Sequence, residues 1–381
     1  MKGPPVKIYY IANARLPTEK AHGIQTAKMC EALVEAGADV ELVVPRRATD
    51  RRSMKEFYGL RVDVPLTRVW TPDWYGRSRI GFWVSSCFFI AGYSLHIMRR
   101  RRRARPDIIW AIDIDQFSFV AVPFLGLPYI AEIHDAKKPT VPFRLLFDYA
   151  CGAIVINRII RREIIRTFCL PGDKVIVLPN GVDTSLFRNR DEDGSAARAA
   201  LGIPEGRTVA MYVGRIYPWK GLEIMAAAAR RLPNILFYIV GGTADQMRAI
   251  GFAGGQPENL VFAGERPFAE MPRWMRAAHM LIVTGTAENS YSFLHTSPMK
   301  IFEYMAAERP ILAARTPAIQ EIFTDDGQGV VFYEPDNIDD FVRSVAVLAA
   351  RPDSHVAHQE TYAYEWAYRA ERALRFIGER V

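Results

Sequence analysis

"VKIYYIANARLPTEKAHGIQTAKMCEALVEAGADVELVVP", residues 6–45, decides the fold class. An apolar run at 6–13 leads through a polar loop into a helical pattern that ends on Gly37, and 39–45 is a second apolar run. Strand, helix and strand in that order make a βαβ unit, because parallel neighbours need a crossover long enough to hold a helix. The rhythm returns at 107–113, 129–135 and 152–157, and again at 209–215, 236–242, 260–265, 279–285 and 309–314, with helical stretches between. Strands alternating with helices predict parallel sheets covered on both faces.

The length of 381 residues, half of them apolar, suits two domains each able to bury a core. Residues 183–207, polar and rich in turn formers, are expected to be the linker, and neither half shows a short repeat of fixed period. Residues 1–190 carry 30 Lys/Arg against 18 Asp/Glu, and residues 191–381 carry 19 against 24. A first half of +12 beside a second half of −5 points the first half at an anionic partner. Cys30, Cys87, Cys151 and Cys169 are few and widely spaced, which fits free thiols in a reducing compartment better than a disulfide framework or a zinc site. The apolar start is too short for a secretory signal, so a cytoplasmic protein is expected.

Open parallel sheets place chemistry outside the carboxyl ends of their strands. Segments at such ends are "HGIQT" (22–26), "EIHD" (132–135), "VGRIYPWKG" (213–221), "VGGT" (240–243) and "AGERP" (263–267). Gly214 allows a tight strand exit, and Arg215 and Lys220 can bring two cations to one diphosphate, although an isolated pair at this spacing is more often plain surface charge. In "HTSPMKIFEYMAAERPIL" (295–312), Pro298 in a first helical turn would leave the amides of Met299 and Lys300 suited to phosphate. Glu303, one turn on, fits either dipole stabilisation or acceptance of two ribose hydroxyls.

The ordered set of segments resembles the family 4 retaining glycosyltransferases over nearly the whole chain. The matching stretches are 214–221, 240–242, 261–267, 297–311 and 317–337 in the second half, with 15–33, 132–135 and 175–187 in the first. The resemblance implies the GT-B architecture, an α/β fold of two facing Rossmann-like domains with an interdomain cleft, here expected as 1–186 and 187–360 with a helix at 361–381 packing back on the first domain. It implies a sugar moved from a UDP- or GDP-sugar to a glycan or lipid-linked acceptor in surface polysaccharide or glycolipid synthesis. By the same resemblance Arg215 and Lys220 grip the donor diphosphate, Met299 and Lys300 touch it through backbone amides, and Glu303 holds the ribose. Gly23 lets backbone approach the substrates and His134 lies near the reacting sugar, while Gly214, Gly242, Arg266 and Ser297 fall on the remaining donor-side motifs. His295 departs from the family pattern, which has an acid there for the donor sugar, and Glu288 could substitute.

Catalysis without a clear protein nucleophile is expected to be electrostatic, and no obligatory metal or cofactor follows. "DID" at 113–115 imitates a metal-binding pair but follows a first-half strand, so it is taken as a decoy. Residues 80–98 lack Asp, Glu, Lys and Arg and precede Arg99, Arg100, Arg101, Arg102 and Arg103. A core helix with a basic end is the plain expectation, and a helix dipping into an anionic membrane surface on the cytoplasmic side is the sharper one. No nucleic-acid module accompanies the arginines. Two other functions are open to the sequence: a catalytically silent sugar-nucleotide-binding homologue and a nucleotide-sugar epimerase.

Overall fold

A computed structural model describes the chain apart from residues 1–4, 49–50, 102–104, 114, 116, 188–192, 253–254, 324–328, 351–355 and 357–360. Arg102 and Arg103 of the basic run therefore lie outside the described residues. The chain divides into two compact units, Met1–Asn180 with Trp366–Val381, and Gly181–Glu365.

The first unit holds seven strands, β1 (Lys7–Ile11), β2 (Asp39–Pro45), β3 (Leu66–Val69), β4 (Ile108–Ile112), β5 (Tyr129–Ile133), β6 (Gly152–Val155) and β7 (Val175–Val177). They form one sheet in the order β3-β2-β1-β4-β5-β6-β7, every neighbouring pair parallel. Ile8 pairs with Val40 on one side and Ile108 on the other, so the strand order reverses between β1 and β4. All five residues of β4 and of β5 are buried, as strands covered on both faces must be.

The second unit holds β8 (Thr208–Val213), β9 (Ile235–Val240), β10 (Leu260–Gly264), β11 (Met280–Val283), β12 (Ile311–Ala314) and β13 (Val330–Tyr333), in the order β10-β9-β8-β11-β12-β13 and again parallel. Its reversal lies between β8 and β11. These two points are where open α/β sheets leave a crevice at the strand ends.

The expected linker at 183–207 is corrected by this structure. Asp193 caps a helix, Gly194–Ala200, by accepting from the Ala196 amide, and Ala197 and Ile203 are buried in the second unit's own core. The division lies at 180/181 rather than 186/187. The terminal helix Trp366–Gly378 belongs to the first unit from Trp366 onward, and it buries Trp366, Ala370, Ala373 and Phe376. A Cβ on Gly152 would lie 2.6 Å from the Phe376 ring, so β6 accepts this helix only because it begins with glycine.

The helix Arg79–Arg100 buries Ser85, Ser86, Phe89, Tyr93 and Ile97 in the first unit. Its other face is open, with Ile80, Trp83, Phe88, Leu95 and Met98 all exposed and Trp70 set edge-on to Phe88 at 5.3 Å. The helix is long and apolar enough to cross a membrane by length and composition, with a mean hydropathy of 1.4.

Candidate functional site

In the second unit the strand reversal brings the loops after β8 and β11 together with the helix Met299–Ala306. Gly214 leaves β8 with φ of +141°, a conformation open to glycine alone, and a Cβ there would sit 2.7 Å from Lys300 Nζ. The glycine is therefore what lets this lysine reach the strand end. Gly241 is matched to it, since its own Cβ would lie 2.8 Å from the Gly214 carbonyl oxygen, and Gly242 has no room for a Cβ beside Ile216.

Pro298 precedes the helix instead of occupying its first turn, and no side chain caps it. The Ile301 amide donates to the Pro298 carbonyl at 3.0 Å, while the amides of Met299 and Lys300 find no acceptor among the described residues. A helix end with free N–H groups carries positive potential. Two lysines add to it. Lys300 Nζ lies 3.5 Å from the Tyr212 ring centroid with no hydrogen-bond partner among the described residues, and Lys220 Nζ lies 4.0 Å from that of Trp219.

Burial weighs against charge on each of these groups. It pulls Lys220 down to about 8, and burial together with the Lys220 charge takes Lys300 well below its ordinary value. Burial also pushes Glu303 up to about 7, against the opposing pull of Lys300. The Glu303 carboxylate makes no hydrogen bond or ion pair within the described residues. Cations set against aromatic rings beside an unbonded acid could receive a ligand that supplies an anion and hydroxyls.

Arg215 is tied to Glu265 at 3.3 Å, an exposed pair worth at most about 1 kcal/mol, so a diphosphate could displace it. Arg266 is exposed, donates to the Ala263 carbonyl at 2.9 Å and lies over Trp274, which ties it to its own loop. His295 ends a π-helical turn, Tyr291–His295, and both it and Ser297 are buried, whereas Glu288 is exposed. An aromatic group adjoins the turn: Trp219 stacks on Tyr217 and meets Tyr291 edge-on at 5.1 Å.

In the first unit, a Cβ on Gly23 would lie 2.5 Å from both Thr18 Cγ2 and the Tyr58 hydroxyl. That hydroxyl receives the Thr18 amide and donates to the Thr18 carbonyl, which holds the loop after β1 closed. His134 sits just past β5 with Nε2 2.9 Å from Glu132 Oε1. His22, part of the strand-end segment 22–26 but given no role of its own from sequence, is lowered to about 4 by burial and then by the Lys20 charge, so its imidazole is neutral. The two acids of the 113–115 segment have internal partners. Asp113 is ion-paired with buried Lys137, and Asp115 accepts from the amides of Phe117 and Ser118 and from Asn13.

A family model described as "Glycosyltransferase Family 4" matches residues 23–186, and one described as "Glycosyl transferases group 1" matches residues 207–351. The chain belongs to the group 1, family 4 glycosyltransferases. Within that family it is 26% identical over 271 residues to a D-inositol 3-phosphate glycosyltransferase of Mycobacterium tuberculosis, covering 65% of this chain and 55% of the relative. The chain spans about half the length of the curated relatives it matches. Solved structures share the GT-B fold of this family 4 protein. Sucrose-phosphate synthase from Thermosynechococcus elongatus aligns at a TM-score of 0.74 with 14% identity, covering 98% of both chains. Anabaena Alr3699/HepE in complex with UDP and glucose aligns at 0.72 with 17% identity, covering 98% of this chain and 99% of that one.

Proposed function

We propose that this protein is a retaining glycosyltransferase that moves a sugar from a UDP- or GDP-sugar to a glycan or lipid-linked acceptor on the cytoplasmic side of a membrane. One observation carries the reading: Lys300 reaches the strand end at Gly214, feels the charge of Lys220, and lies in the first turn of a helix whose open amides come one turn before the unbonded acid of Glu303. Family membership and the UDP held by a structural neighbour support the same donor class.

Chemistry at this site is the breaking of the bond between the anomeric carbon and the diphosphate oxygen. The leaving oxygen takes the bonding pair, and the two lysines, Arg215 and the helix end stabilise that charge. The acceptor hydroxyl oxygen then bonds the anomeric carbon on the same face, and its proton passes to the departing diphosphate. His134 and His295 are assigned to the sugar, Glu303 to the ribose. This route needs no metal ion.

The acceptor side of the proposal rests on the helix Arg79–Arg100, whose exposed stripe of Ile80, Trp83, Phe88, Leu95 and Met98 runs into Arg99, Arg100 and Arg101. Apolar side chains that enter a headgroup layer beside cations that meet anionic lipid make an interfacial helix.

The test is a proton NMR time course with a panel of UDP-, GDP-, ADP- and dTDP-sugars and lipid extract as acceptor. Release of nucleotide from one donor by the wild type, lost in Arg215→Ala/Lys220→Ala, is expected. Binding with no turnover across acceptors would turn the reading into that of a binding protein. Flotation with phosphatidylglycerol vesicles addresses the membrane: Trp83→Ser/Phe88→Ser should lower binding about ten-fold, and equal binding to pure phosphatidylcholine would remove the anionic surface from the proposal.

A further inference from the structure

Glu132 has no exposed surface, yet five side chains converge on its carboxylate. Oε1 lies 3.0 Å from Gln25 Nε2, 2.9 Å from His134 Nε2 and 2.6 Å from an Arg369 nitrogen. Oε2 lies 2.7 Å from Trp110 Nε1 and 3.1 Å from the Tyr10 hydroxyl. Arg369 is itself only 3% exposed, and its guanidinium also donates to the carbonyls of Leu178 and Pro179.

A carboxylate surrounded in this way is an acceptor only. Burial alone would raise its pKa, but Arg369 and then His134 overcome burial and hold it down at about 2. Nε2 of His134 must then be the donor in their contact. In the neutral ring this leaves Nδ1 as an acceptor, and no described residue bonds to it.

We propose that Glu132 and Arg369 are the positioning pair of His134, fixing its imidazole as the Nε2–H tautomer so that Nδ1 faces substrate as the acceptor. The inference rests on the sugar-side assignment of His134 made above, and it adds to the site a residue from the far end of the chain. The terminal helix Trp366–Gly378 supplies the cation, Glu132 passes its constraint to the ring, and the ring meets the substrate hydroxyl. A positioning group acts through geometry, and a small misplacement of the group it holds costs about 100-fold in rate.

Nitrogen-15 histidine labelling of the whole protein, with His134→Asn to assign the ring, reads the tautomer directly by long-range proton–nitrogen correlation. The wild type is expected to show Nε2–H with Nδ1 as acceptor, Arg369→Lys to keep that pattern, and Glu132→Gln and Arg369→Gln to show mixed tautomers. With the turned-over donor, Arg369→Gln is expected to lower kcat about 100-fold while KM for the donor stays within about two-fold, and Arg369→Lys to restore most of the rate. An Nδ1–H tautomer in the wild type would overturn the proposal, and so would a tautomer unchanged in both glutamine variants or a kcat that follows stability alone. Should a glutamine variant fail to fold, the wild-type and Arg369→Lys spectra still decide the tautomer. If the wild type turns over no donor, the transferase reading fails, and the tautomer series decides for or against the pair by itself.

Discussion

Glu303→Gln should stabilise the free protein while weakening the nucleotide binding proposed for the residue. The Glu303 carboxyl is raised from 4.5 to about 7, mainly by burial. An unfolded chain ionises this group near 4.5, so folding to a site that prefers the protonated form costs nothing at pH 4 and progressively more as pH rises to 7. Above pH 7 the cost is constant at about 3 kcal/mol, at roughly 1.4 kcal/mol for each unit of the shift. Glutamine has no such titration. Urea unfolding at pH 4.5 and pH 8 should therefore show the variant close to wild type in acid and up to about 3 kcal/mol more stable in base. Nucleotide binding moves the opposite way: losing two charge-assisted hydrogen bonds to a ribose removes about 3 kcal/mol, or about 100-fold in Kd by calorimetry. A variant equally destabilised at both pH values would refute the burial argument. Unchanged nucleotide affinity would refute the ribose assignment, whatever the stability.

Two further substitutions separate fold from site. Gly214→Ala places a Cβ against Lys300 Nζ in a backbone conformation of φ +141°; about 2 kcal/mol of stability and about ten-fold in nucleoside diphosphate affinity should be lost, and affinity intact after such a loss would mean the lysine does not meet the phosphates. Arg369→Met leaves the Glu132 carboxylate buried without its cation, which should cost about 3–5 kcal/mol at pH 7. Because the wild-type pKa is depressed, the pair's contribution is present above pH 4.5 and lost as pH falls towards 2, so the gap between variant and wild type should close in acid; a gap independent of pH would assign the loss to packing.

Sequence patterning carried the architecture where apolar runs were flanked by helical patterns. β4 and β5, buried over every residue, could be read at once, but β3, β7 and β13 are three or four residues long and were not recognised as strands. Each lies at a sheet edge, and its short run is set among turn formers. The misread segment 183–207 shows the limit of composition, since a helix built from Gly, Ser and Ala looks like a linker until its buried face is seen. On the site, the Arg215, Lys220, Lys300 and Glu303 set is proposed from spacing and resemblance, and three-dimensional placement adds how Gly214 admits the lysine. Glu132 was passed over as one letter of a strand-end motif. Its significance depends on Tyr10, Gln25, Trp110 and Arg369, partners scattered across the chain that no local pattern joins. His22 carries no role in the sequence reading for a related reason, because its neutrality comes first from burial and then from neighbouring charge, both set in space.

The terminal helix gives the first unit a schedule. Residues 366–378 leave the ribosome only after all of 181–365 has been made, so during synthesis the first unit waits with the Glu132 carboxylate lacking its Arg369 cation and the glycine face of β6 uncovered. Domains that fold in order of synthesis do not face such a delay. Here the second unit can complete its core first, and the first becomes fully stable only when the last turns of chain dock. A released chain truncated after residue 365 is expected to hold one finished unit and one protease-sensitive one.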